Sequence, residues 1–135
     1  MRIRILHVLF FFLFLTLLIG CGEKLPYEVV SIRGTVTFEG KPAPKGLRLL
    51  FTPAKAEGRT SEAIVGDDGK FKAIYTRSVE GIQVGKTNLT VSWGGGTGLP
   101  APPAAVAIVE TFGAHTKGFP LEITKRDKDF KIELK

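Results

Sequence analysis

Between Val30 and Phe38 the side chains alternate in character. Val30, Ile32, Val36 and Phe38 share one parity with Gly34, while Arg33, Thr35, Thr37 and Glu39 share the other. Successive side chains of an extended strand point to opposite faces, so this run buries one face and leaves the other in water. A helix has no use for the pattern, because its apolar stripe needs spacings of three and four. The same period returns at Leu47, Leu49 and Phe51, and at Phe71, Ala73 and Tyr75 against Lys70 and Lys72. It returns again at Leu89, Val91 and Trp93 against Asn88, Thr90 and Ser92, and at Phe130, Ile132 and Leu134 against Lys131, Glu133 and Lys135. Two weaker runs, Thr60 to Gly66 and Leu121 with Ile123, bring the count to seven.

Turn chemistry separates the runs. Glu39-Gly40-Lys41-Pro42 follows the first, Pro53 closes the second, and Ala54 to Arg59 reads as loop. Asp67-Asp68-Gly69 is the sharpest turn signal in the chain. Residues 94–103 have no periodicity, and Ala104 to Glu110 suits either a helical turn or a short strand. No stretch after the first 20 residues carries a clear 3.6-residue pattern. Phe38, Phe51, Phe71 and Phe130 fall on inward parities, and Phe112 and Phe119 flank the late loop. The expectation is an all-β fold, a single antiparallel seven-stranded sandwich.

The N-terminus reads as an address. Arg2 and Arg4 precede an apolar stretch from Ile5 to Ile19, broken only by His7 and Thr16. That is the layout of a secretory signal, and it is short for a membrane span. Leu18-Ile19-Gly20-Cys21 resembles the bacterial lipobox. The resemblance implies a diacylglycerol on the Cys21 thiol and cleavage between Gly20 and Cys21. The domains expected are a signal peptide at 1–20, a lipidated tether at 21–28 and one folded domain at 29–135. Gly22 follows the Cys where inner-membrane lipoproteins often carry Asp, so the resemblance favours the outer membrane within the cell envelope. With a single Cys among 135 residues, a disulfide framework and a Cys-rich zinc site are excluded. Without Arg2 and Arg4 there are 17 basic residues against 13 acids, a balance of +4 that suits an anionic bilayer surface.

Two further pieces resemble carboxypeptidase-regulatory-like, transthyretin-like domains. Ile32-Arg33-Gly34-Thr35-Val36-Thr37-Phe38-Glu39-Gly40-Lys41-Pro42 is similar to the family's first hairpin, and Phe51-Thr52-Pro53 to its F-x-P strand end. Gly66-Asp67-Asp68-Gly69-Lys70-Phe71 is similar to the T-D-x-D-G-x-F turn, with Val65-Gly66 replacing the usual Thr-Asp. Short lipoproteins of planctomycete-type bacteria share this build. The resemblance implies a transthyretin-like (prealbumin-like) Greek-key sandwich with no enzymatic activity, no cofactor and no catalytic residue. Its implied role is a binding or structural module of the envelope, with the membrane, reached through the lipid on Cys21, as its first partner. An envelope protein or a polysaccharide is the expected second partner, carbohydrate binding or adhesion being the alternative reading.

Chemistry-bearing candidates are few. Gly85-Lys86-Thr87 lacks the spacing and the following helix of a phosphate loop. Asp67 and Asp68 are too few for a calcium cage and suit a turn. His115 is the only histidine after the signal, too little for zinc, and no G-x-S-x-G elbow accompanies Ser31, Ser61, Ser78 or Ser92. A small hydrolase using His115 is the remaining enzymatic alternative. Lys125-Arg126-Asp127-Lys128 reads as a solvated hairpin tip between two strands rather than a nucleic-acid site.

Overall fold

The computed structural model describes residues 25–55, 57–94 and 98–135. The signal segment 1–20, the Gly20-Cys21 junction and residues 21–24 of the tether lie outside them. The strands are β1 (Val29–Val30), β2 (Ile32–Phe38), β3 (Lys41–Pro42), β4 (Leu47–Pro53), β5 (Ser61–Ile64) and β6 (Lys70–Lys72). They continue with β7 (Ile74–Thr76), β8 (Val79–Glu80), β9 (Ile82–Gln83), β10 (Gly85–Trp93), β11 (Phe119–Ile123) and β12 (Asp127–Leu134). One helix, α1 (Pro103–Phe112), lies between β10 and β11. The fold is mostly β, as the alternation predicts.

The strands form three sheets. One runs β11-β10-β4-β5-β7-β8, a second runs β12-β2-β3 with β6 also on β2, and β1 pairs with β9 alone. The strand pairs are antiparallel except β12 with β2, which is parallel. Leu47, Leu49 and Phe51 of β4 and Leu89 and Val91 of β10 are buried from the larger sheet. Ile32 and Val36 of β2 and Ile132 and Leu134 of β12 are buried from the smaller one, and all of them join one core cluster. Each such side chain taken fully out of water contributes about 1.5–3 kcal/mol. Across the core Phe51 stacks on Phe71, with ring centroids 5.9 Å apart.

Four connections move the chain between the two larger sheets, the first being residues 43–46 between β3 and β4. The Asp67–Gly69 turn, with Asp68 at φ 56° and Gly69 at φ 73°, links β5 of the larger sheet to β6 of the smaller. The alternating run Lys70–Thr76 changes sheet at Ala73, whose amide donates to Ile32 O at 3.1 Å. Residues 124–126 link β11 to β12 in the same way. The Asp-Gly signal therefore marks a real turn, but the strands on its two sides do not pair with each other. The basic stretch beginning at Lys125 is likewise a crossing with exposed charges, not a hairpin tip.

Residues 104–110, left open between helix and strand by the sequence, lie in α1. Ala105, Ile108 and Phe112 face the core, and Phe112 meets Phe119 edge-on at 6.0 Å. Pro103 occupies the first turn, where its missing N–H costs nothing. The helix is held to the larger sheet by a bridge between Gly113 and Val91.

Candidate functional site

The tether enters at one end of the sheets. Val29 and Val30 pair with Gln83 and Ile82, and the Val84 amide donates to Glu28 O at 2.9 Å. Around this strap lies a groove of about 830 Å³, walled by Tyr27, Pro53, Lys55 and Lys86, with carboxylates from Glu28, Glu57 and Glu122. Gln83 is buried beneath it, and its Oε1 has no hydrogen-bond partner among the described residues. Gly58 leaves the room that this amide occupies, since a Cβ there would stand 2.0 Å from Gln83 Oε1. Ser61 and Thr87 are also buried with unpartnered hydroxyls. Ser61 lies opposite Phe51 and Thr87 opposite Pro53, so both point to the core face at this end.

At the opposite end, the side chain of Trp93 reaches the loop after β10, where its Nε1 donates to Leu99 O at 3.2 Å. Leu99 itself is 65% exposed, a large apolar side chain left in water. Of the irregular segment 94–103, Gly94 and residues 98–102 thus sit at the end away from the tether; Gly95, Gly96 and Thr97 lie outside the described residues.

A second groove, of about 710 Å³, lies over β5 and β7. It exists because the crossing at Ala73 leaves these strands a single paired position, Glu62 with Ile74. Beside it, Arg48 Nη2 donates to the Glu62 carboxylate, which holds the guanidinium pKa above its ordinary value. Glu80 accepts from Arg33 at 3.0 Å and from Lys72 at 3.1 Å. These hydrogen bonds, that of Arg33 foremost, keep its carboxyl below the usual carboxylate range. The contribution to stability is therefore present above the ordinary carboxylate pKa and is lost as pH falls through the lowered value. All three groups are solvated, so salt screens the effect.

The remaining sequence candidates stay apart. His115 is exposed and its Nε2 lies 3.2 Å from Glu110 O, a local contact at the end of α1. None of the hydroxyls of Ser31, Ser61, Ser78 and Ser92 is hydrogen-bonded to it; Ser78 lies 3.4 Å from the Thr76 hydroxyl instead. Asp67 pairs with Lys45 at 3.1 Å in solvent. Gly85, Lys86 and Thr87 open β10, with an extended strand and no helix after them. Among the described residues no group of three or more His, Cys, Asp and Glu side chains is arranged to hold a metal ion, and no helix is long and apolar enough to cross a membrane. Gly20 and Cys21, the expected cleavage and lipid-attachment residues, lie outside the described residues.

Both grooves escaped the sequence reading. The tether-end groove is assembled from four separate segments, and the other from strands that the alternation places without saying how loosely they pair. A signal was available in Gly81 and Gly85, which bracket Ile82-Gln83 and stand at φ 129° and 126°. Compared with known protein families, curated proteins and solved structures, the chain matches none of them significantly.

Proposed function

We propose that this chain is a lipid-anchored lipoprotein of the cell envelope, held in the outer membrane by the lipid on Cys21. Its folded part, a transthyretin-like, Greek-key β-sandwich, serves as a non-catalytic binding or structural module. The observation that carries this reading is the strap at the tether end. Only a few residues separate Cys21 from Val29–Val30, which are sewn to β9 by strand pairing. A lipid on that cysteine fixes the domain by one end. β2, β4, β10 and β12 then run from the anchored end to the far end, where Leu99 is exposed. Loops on a rigid scaffold are where binding is usually built. An envelope protein or a polysaccharide is the partner such a display would meet.

The anchor is tested directly. Cys21→Ser is expected to abolish palmitate labelling and to release the protein from the membrane fraction, while the far-ultraviolet circular dichroism of the domain stays strand-like. Labelling that persists in the variant overturns the anchor.

A further inference from the structure

The groove over β5 and β7 combines two features that seldom meet on a solvated sheet face. Its floor is apolar: Ile74 is half-buried and Ile64 is 50% exposed. Its rim is cationic, formed by Arg59, Lys72 and Arg77. The one carboxylate in the lining, Glu62, is engaged by Arg48. Arg59 and Arg77 are exposed and form no ion pair among the described residues.

The positive surface continues past Lys72 onto the outer face of the smaller sheet. Register places Lys72 beside Arg33, and Lys70 and Lys131 on either side of Thr35. Against these four cations the ion pairs set only Glu80, which is shared by Arg33 and Lys72. The tether-end groove, by contrast, mixes both signs.

We propose that this groove binds an acidic polysaccharide. A sugar ring offers an apolar C–H face, which the isoleucine floor accepts, and an anionic substituent, which Arg59 and Arg77 hold with charge-assisted hydrogen bonds. Neighbouring acidic sugars of the same polymer then run over Lys72 toward Lys70. Arg59 and Arg77 lie toward the tether end of β5 and β7, so an anionic lipid surface is the competing occupant, and the vesicle arm of the test separates it from the polymer. The inference goes beyond the anchoring proposal and is separable from it: the solubilised protein keeps its polymer affinity when Cys21→Ser removes the lipid.

The test uses the full chain in detergent micelles, with polygalacturonate as the probe and uncharged dextran and phosphatidylglycerol vesicles as comparisons. Wild type is expected to bind polygalacturonate and not dextran, and to weaken as salt shortens the screening length. Arg59→Gln with Arg77→Gln is expected to weaken binding at least about fivefold, the scale of two exposed ion pairs. Ile64→Ser, which leaves the charge unchanged, is expected to weaken it about threefold by removing apolar contact. Lys117→Gln with Lys125→Gln removes the same charge elsewhere and should leave affinity unchanged. The proposal is overturned by absent polymer binding, by an equal loss in that control pair, or by vesicle binding that replaces polymer binding with the same arginine dependence.

Discussion

Gly34 shows how one missing side chain fixes the pairing of two strands. The register of β12 on β2 is irregular between Asp127 and Phe130, and this brings the Phe130 backbone directly over Gly34. A Cβ at position 34 would stand 1.7 Å from Phe130 O, against backbone that cannot turn aside. Gly34→Ala is expected to destabilise the fold by about 2–3 kcal/mol or more, read as a fall in the urea midpoint. Gly40 is a different case: it stands at φ 77° with open space around it, in the two-residue loop joining Phe38 to Lys41. Gly40→Ala meets only the left-handed backbone penalty, about 1 kcal/mol. Equal losses in the two variants would refute the steric account of Gly34. The sequence placed Gly34 on the inward parity, but only the structure shows the strand that needs it bare.

At the scale of elements, the alternating runs were legible because each buries one face, and β2, β4, β10 and β12 lie where their parities put them. Helix α1 was not, and the reason is compositional. Ala105, Ile108 and Phe112 follow helical spacing, but Ala104, Val106, Ala107 and Val109 fill the other faces with apolar side chains too. A stripe cannot be seen without a polar background. The two valine-isoleucine positions should separate cleanly on substitution. Ile108→Ala, at a site with no exposure, is expected to cost about 2–4 kcal/mol, whereas Val106→Ala, 43% exposed, should stay within about 0.5 kcal/mol. Thermal unfolding of the two variants checks this, and similar shifts would mean the helix packs by another face. The short strands β3, β8 and β9 were beyond reach for a simpler reason: two residues cannot display a period, and Val30, read as the start of the first run, belongs instead to β1 on β9. The candidate site shared that fate, since its groove depends on where a strand leaves its sheet.

For the whole molecule, the decisive pairing is the parallel one. Gly34 meets Phe130 and Phe38 meets Leu134, contacts between segments nearly a hundred positions apart. β12 supplies Ile132 and Leu134 to the core and is the neighbour of β2 on one side. Removing residues 127–135 is expected to abolish cooperative unfolding in urea, because the core then loses one wall and β2 an entire row of hydrogen bonds. A truncated chain with an undiminished transition would show that β12 is dispensable. The arrangement also sets an order of events. β2 lies close behind the tether, yet it cannot be completed until a segment from far downstream arrives beside it. Until it arrives, β2 has only β3 and β6 beside it, and one side of the smaller sheet stands without the wall that Ile132 and Leu134 supply.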